Sequence, residues 1–424
     1  VSDETHGSRS ASRSLPDAAN LEWLRKHAKQ LLRELRRREP KATLADAQLA
    51  VANEHGFSSW RSLKAHLDSR TVSGQCFAAA RDGDVAALVT LLDRHPGQLR
   101  SRDAPYEWSL LHHAAHRGHL GVVDLLLERG LDVNTREKGD NTTAMHWAAA
   151  AGHLAVVRRL AAAGGDVVGR GDDHQLEVIG WASCWDGGDD DAHRAIVDFL
   201  LRSGARHHIF SAIATNRSDE VRRIVAADGT ALARRMSRNE SHQLPLQFAI
   251  RRNRPEMVEL LLELGADPEA LDGDGMSAVV YAAGPGVTRR VIELLAPRVD
   301  HVFPALVTGD HARAERLWSR DGAGKTNALH LSAKRGDEAA VEWLLERGAD
   351  ANALWNHWDA EVTPLHMAAW GGSEAVVRAL LRAGADPTTR DSKHDSDALG
   401  WAEHFGQVDV VGVLKGRAVP KTME

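Results

Sequence analysis

Apolar residues along most of the chain fall in short runs at helical spacing, and each run is followed by glycine and a polar turn. The clearest copy is TPLHMAAWGGSEAVVRALLRAGADPTTR, from Thr363 to Arg390. Thr363-Pro364 opens a first helix, since proline in the first turn loses no needed N–H. Ala368-Ala369 are small enough to let a neighbouring helix approach closely. Gly372 supplies the left-handed residue that ends the helix. Val376, Val377, Leu380 and Leu381 make the buried stripe of a second helix, which Gly384 terminates before Asp386-Pro387 enters a loop. The pattern predicts helix, turn, helix, loop.

The small-residue doublet recurs. Its first member is Ala79, Ala114, Ala148, Ala182, Ala212, Ala249, Ala282, Ala305, Ser332, Ala368 and Ala402, at intervals of 35, 34, 34, 30, 37, 33, 23, 27, 36 and 34 residues. A unit of this length cannot bury its apolar face alone and must stack on its neighbours. TPLHxAA, the G-H-x-x-V-V run and L-L-x-x-G-A-D-x-N resemble the ankyrin-repeat family over roughly residues 75–417. The resemblance implies an all-α ankyrin-repeat solenoid of about eleven repeats. Stretches near 207–237 and 299–322 lack TPLH, and one interval is only 23 residues. Distorted or shortened repeats are expected there, with a local change of curvature.

Upstream the text changes. Residues 1–14 are rich in Ser and Arg and read as a disordered tail. Residues 15–70 predict a helical capping domain of three helices. Leu21, Leu24, Ala28, Leu31, Leu32 and Leu35 share one face of the first. The second runs from Thr43 to Gly56, and Ser58 or Ser59 caps the third. The phrase AQLAVANEHGFSSWRSLKAHL resembles a segment that precedes bacterial ankyrin arrays, implying a bacterial source but no activity. The array occupies 75–417, with Lys415 and Arg417 making its last helix more polar, and 418–424 form a C-terminal tail.

Charge adds little. Through Arg70 there are 13 Lys and Arg against 9 Asp and Glu, and the rest of the chain has 40 against 50. Arg36-Arg37-Arg38 read as the solvent face of a capping helix, and nucleic acid is not expected as a partner. Cys76 and Cys184 follow no metal spacing and fit buried hydrophobes in a reducing compartment. No apolar run approaches the length of a membrane helix, and the N-terminus has no secretory apolar region, so a cytoplasmic protein is expected.

Catalytic motifs fail one by one. Gly322-Ala323-Gly324-Lys325-Thr326 has Ser319 where a phosphate loop needs its first glycine. Asp272-Gly273-Asp274-Gly275 lacks the rest of a calcium loop. Asp186, Asp189, Asp190 and Asp191 with His193 read as a solvated acidic turn rather than a metal site. Glu403, which replaces the second alanine of its doublet, is expected to be exposed. No catalytic residue, cofactor or metal is assigned.

What stands out is 12 Trp against 2 Tyr, with 23 His. His112, His146, His330 and His366 occupy the family's L-H-x-A position, where the resemblance implies hydrogen bonds to loop backbone. The position after that histidine, and those a turn further on, are expected to face the groove of the array. They hold His113, His116, Arg117, Trp147, Trp181, Trp185, Arg251, Tyr281, Lys334, Trp370, Trp401 and His404, and the loops add Trp355, His357 and Trp358. Gly180 and Gly400, each before a tryptophan, are expected to let the indole settle into that groove. Tryptophan is a favoured interface anchor. The set predicts a non-catalytic scaffold that engages a protein partner through a Trp/His-rich groove and loop tips. The alternative is a binding protein or enzyme for a sugar, aromatic or cationic small molecule in the same groove.

Overall fold

The computed structural model describes residues 15–16, 19–184, 190–320 and 327–416. The Gly322–Thr326 loop, Trp185, Asp186, Asp189, Arg417 and the two tails lie outside them. The fold is an all-α repeat array, and the strands among the described residues are one hairpin, Trp355–His357 paired antiparallel with Ala360–Val362.

The chain divides into two compact units, Val1–Gly169 and Arg170–Glu424. The first begins with helices Leu21–Arg38, Leu44–Glu54 and Trp60–Ser69. Asn20 caps the first through the Trp23 N–H, Thr43 and Asp46 form a capping box on the second, and Ser59 Oγ accepts from Ser62 N–H at the third. Leu24, Ala28, Val51, Ala52, Leu63 and Leu67 make a small core of their own. Arg36, Arg37 and Arg38 lie in the last turn of the first helix, where cations complement the exposed carbonyls. Three helix pairs follow: Val72–Asp82 with Val85–Arg94, Leu110–His116 with Leu120–Glu128, and Ala144–Ala150 with Leu154–Ala162.

The second unit runs through further pairs from Glu177–Trp181 with Asp191–Arg202 to Ala398–His404 with Val408–Leu414. Every first doublet residue sits in an inner helix, except Ala182, which caps one. Ala114, Ala148, Ala249, Ala282, Ala368 and Ala402 have no exposed surface. Close helix packing demands that smallness.

Repeats are tied by side chains of the consensus itself. Asn134 donates from Nδ2 to the Gly164 carbonyl and accepts from Asp166 N–H, and Asn352 does the same with Gly384 and Asp386. His119 Nε2 donates to the Arg81 carbonyl of the preceding repeat, and a Cβ on Gly83, at φ +77°, would stand 2.6 Å from His119 Nδ1. Glycine there serves both the left-handed cap and the next repeat's imidazole. The 23-residue interval has a simple cause. After helix Arg289–Leu295, one 3-10 turn, Ala296–Arg298, leads almost directly into inner helix Val302–Thr308, with no hairpin loop between.

Candidate functional site

The four consensus histidines hold loops. Nε2 of His112, His146, His330 and His366 donates to the carbonyls of Thr142, Gly169, Ala353 and Ser396, at 2.9–3.2 Å. Burial keeps His112 and His330 neutral, lowering each to about 4. In His112, His146 and His366 the Nδ1 faces the N-cap hydroxyl of its own helix.

The residues after those histidines behave less uniformly than expected. Four donate to a loop carboxylate nine or ten residues upstream: His113 to Asp103 (2.7 Å), Trp181 to Asp172 (3.3 Å), Tyr281 to Asp272 (2.6 Å) and Trp401 to Asp391 (3.0 Å). Each aspartate also accepts backbone N–H groups of its own loop. Burial pushes the Asp391 carboxyl up, but bonds from Trp401 and the His394, Lys393 and Ser396 amides outweigh it and hold it at about 2. Burial and the Asp272 bond push the Tyr281 phenol up. These aromatics lock loops to inner helices. The signal for them was in the sequence, as an Asp nine or ten residues before each ring. Asp272 takes part in this locking through Tyr281 and the Asp274 and Met276 amides.

Trp181 corrects the expected groove. It is 2% exposed, packed edge-on to His174 and bonded to Asp172, so it belongs to the core. The reason assigned to Gly180 changes with it. A Cβ there would stand 2.8 Å from His208 Nε2, which donates to the Leu176 carbonyl, so the glycine makes room for a neighbouring repeat's histidine. A Cβ on Gly400 would collide with Ser396 Oγ, which is crowding in its own turn. His113, Lys334 and His357 are buried as well.

In the first unit, Trp108, His113, His116 and Trp147 come together. Trp108 lies 4.5 Å from Trp147 and 5.6 Å from His116, centroid to centroid, and His116 is edge-on to Trp147. His116 Nδ1 has no hydrogen-bond partner among the described residues, and burial, then Arg117 and His153, lower this imidazole. Arg117 is exposed beside it.

The denser group is in the second unit. Inner helices Ala328–Arg335 and Pro364–Gly371 and the Trp355–Val362 hairpin place Lys334 Nζ 4.0 Å above Trp370 and 5.2 Å from Trp358. His357 lies between Trp355, Trp358 and Trp370, with its Nε2 3.4 Å from Lys334 Nζ. Burial lowers the Lys334 amine to about 7 and, with the adjacent Lys334, takes His357 to about 2. The indole faces act in the other direction, because a ring quadrupole favours the ammonium. Trp358 holds this place with φ +55°, a left-handed conformation that costs a bulky residue energy. Trp370 stacks on Phe405, which also touches Trp401 and His404. Phe405, 40% exposed, was not foreseen.

Beside this group is an open pocket of about 200 Å³, lined from other repeats by Arg251, Gln243, Met276, Val280, Tyr281 and Val287. It spans the loopless repeat: Arg335 reaches across to the Val287 carbonyl. Arg251 Nε donates to Gln243 Oε1 at 3.2 Å.

Other groups are accounted for. Asp190 caps helix Asp191–Arg202 and pairs with His193. Glu403 is exposed and paired with Lys415, and His404 is exposed. Buried His174 pairs with half-buried Glu240 at 2.6 Å. Burial pushes the Cys184 thiol up to about 12, which removes it as a nucleophile. Among the described residues one His/carboxylate group gathers, His27, Glu54 and His55, with His27 bonded to Glu54 and stacked on Trp23. No helix among the described residues is long and apolar enough to cross a membrane.

The family model for ankyrin repeats matches residues 76–170, 247–353 and 302–391, more than half of the chain. The chain belongs to the ankyrin-repeat family. Among curated ankyrin relatives, it is 34% identical over 116 residues to the B-cell lymphoma 3 protein homolog of Mus musculus, covering 27% of this chain and 23% of that protein. It is equally identical over 116 residues to NF-kappa-B inhibitor alpha of Sus scrofa, covering 27% and 33%. The matches thus span a quarter to a third of the relatives' length. Among solved structures, the human ASB11 ankyrin repeat domain is 24% identical with a TM-score of 0.37, covering 53% of this chain and 97% of that one.

Proposed function

We propose that this ankyrin-repeat protein is a non-catalytic interaction scaffold that holds a partner protein on its inner-helix and hairpin face. The observation that carries the reading is the aromatic group of Trp355, Trp358, Trp370, Trp401 and Phe405. These five large rings are left partly exposed on inner helices and a hairpin rather than sunk into the core. Large, preordered aromatic surface costs little entropy to bury and dominates interface energetics. One relative is named for inhibiting NF-kappa-B, which fits action by binding. A small cationic ligand is disfavoured at this group, since the Lys334 ammonium already occupies the indole faces.

The test uses the native partner, identified by cross-linking from the source cells. Phe405→Ala and Trp370→Ala should each weaken its binding at least about tenfold, or ~1.4 kcal/mol. Arg378→Ala, on an outer helix, should leave it unchanged. Equal affinities for all three would refute the reading.

A further inference from the structure

The pocket beside Trp370 has two cations on its wall, Lys334 and Arg251, and no carboxylate among the described residues lines it. Lys334 is 3% exposed, and among the described residues no Asp or Glu forms an ion pair with it. Its one hydrogen-bond partner among the described residues is the neutral imidazole of His357, at 3.4 Å. A buried ammonium without a counter-ion is costly, and an anion brought to it offsets that cost. Beside Gln243 and Tyr281, the remaining wall is apolar, with Met276, Val280, Pro285, Val287 and the two indoles. An occupant that complements both features carries a carboxylate directly on an apolar body.

We propose that this pocket binds the C-terminal residue of a partner protein, with the terminal carboxylate on Lys334 Nζ and an apolar side chain between Val280 and Trp358. Within a protein chain only the last residue joins a free carboxylate to an apolar side chain. Asp and Glu present theirs on a short polar stem, and an internal Leu or Phe has none. A cation cannot take the place, since Lys334 and Arg251 repel it. The proposal rests on the inner-helix face being the partner surface and names the chemistry by which it recognises a chain end.

Titration calorimetry on the full chain tests it with acetyl-Ser-Gly-Leu, acetyl-Ser-Gly-Val and acetyl-Ser-Gly-Phe, each as the free acid and as the C-terminal amide. At least one free acid should bind ten times or more tighter than its amide. Lys334→Met should bring acid and amide together. Arg251→Gln, at an exposed residue, should narrow the gap in the same direction, with an unchanged melting curve as its folding control. Equal binding of every acid and amide, or no binding by any, would overturn the proposal. Isocaproate binding as tightly as the Leu acid would also overturn it, assigning the pocket to small organic acids. Phe405 lies outside the pocket lining and keeps the two readings apart. If the peptides fail while Phe405→Ala still releases the partner, the pocket assignment falls and the scaffold reading stands. Peptide selectivity with a partner indifferent to Phe405→Ala does the reverse.

Discussion

Two aromatic residues that look alike in the sequence have different work. Trp181 and Phe405 both lie in or beside inner helices, but one is sealed in the core with its N–H on Asp172 and the other is 40% exposed. Trp181→Ala should cost ~3–5 kcal/mol of unfolding free energy, as expected for a large core truncation. Phe405→Ala should cost less than ~1 kcal/mol. Urea midpoints separate the two, and comparable losses would contradict the burial assigned to them. Lys334 offers a pH test. Its folded value, about 7, lies below the ordinary lysine value of 10.5. Between these limits the unfolded chain binds more protons, so stability rises with pH, by up to about 1.4 kcal/mol per pH unit from this group. The advantage of Lys334→Met over the wild type should therefore be greatest near pH 7 and shrink toward pH 9.5. An advantage that does not change with pH would show that the amine is not shifted. These fates were hidden in the sequence because burial at each position is set by residues about 30 places away, such as His208 over Gly180.

At the scale of the element, the repeat register was readable because its causes are local. Helical spacing, capping hydroxyls and glycine stops fall within one unit, so Thr363 and Gly372 mark the ends of helix Pro364–Gly371. The doublet alanines were equally legible. Ala148→Leu and Ala368→Leu each put a larger side chain where no surface is exposed, and should destabilise the array by ~1–3 kcal/mol. Unchanged denaturation midpoints for both would refute the register. The pocket was not legible. Its walls come from repeats on either side of the helix Val302–Thr308, and they meet because that repeat has lost its hairpin loop. The short interval announced a distortion, but not which side chains it would bring together.

For the molecule as a whole, stacked repeats share their stability with neighbours, and a terminal repeat needs a polar cover. We read the three N-terminal helices as that cover for the first unit. They have a core of their own, and the helix Trp60–Ser69 packs on the inner helix Val72–Asp82. Deleting residues 15–70 should speed amide exchange in Val72–Arg94 and leave Pro364–Arg382 protected, and unchanged exchange at both would remove the capping role. The central claim, that partners sit on the inner-helix and hairpin face, is tested most directly by site-specific photo-cross-linking in source-cell extract. A benzophenone amino acid would be placed in turn at Arg117, Trp370 and Phe405 and, on outer helices, at Glu342 and Arg378. Adducts of one partner protein at Trp370 or Phe405, with none at Glu342 and Arg378, are the predicted result. The same partner captured only from the outer-helix positions would contradict the account.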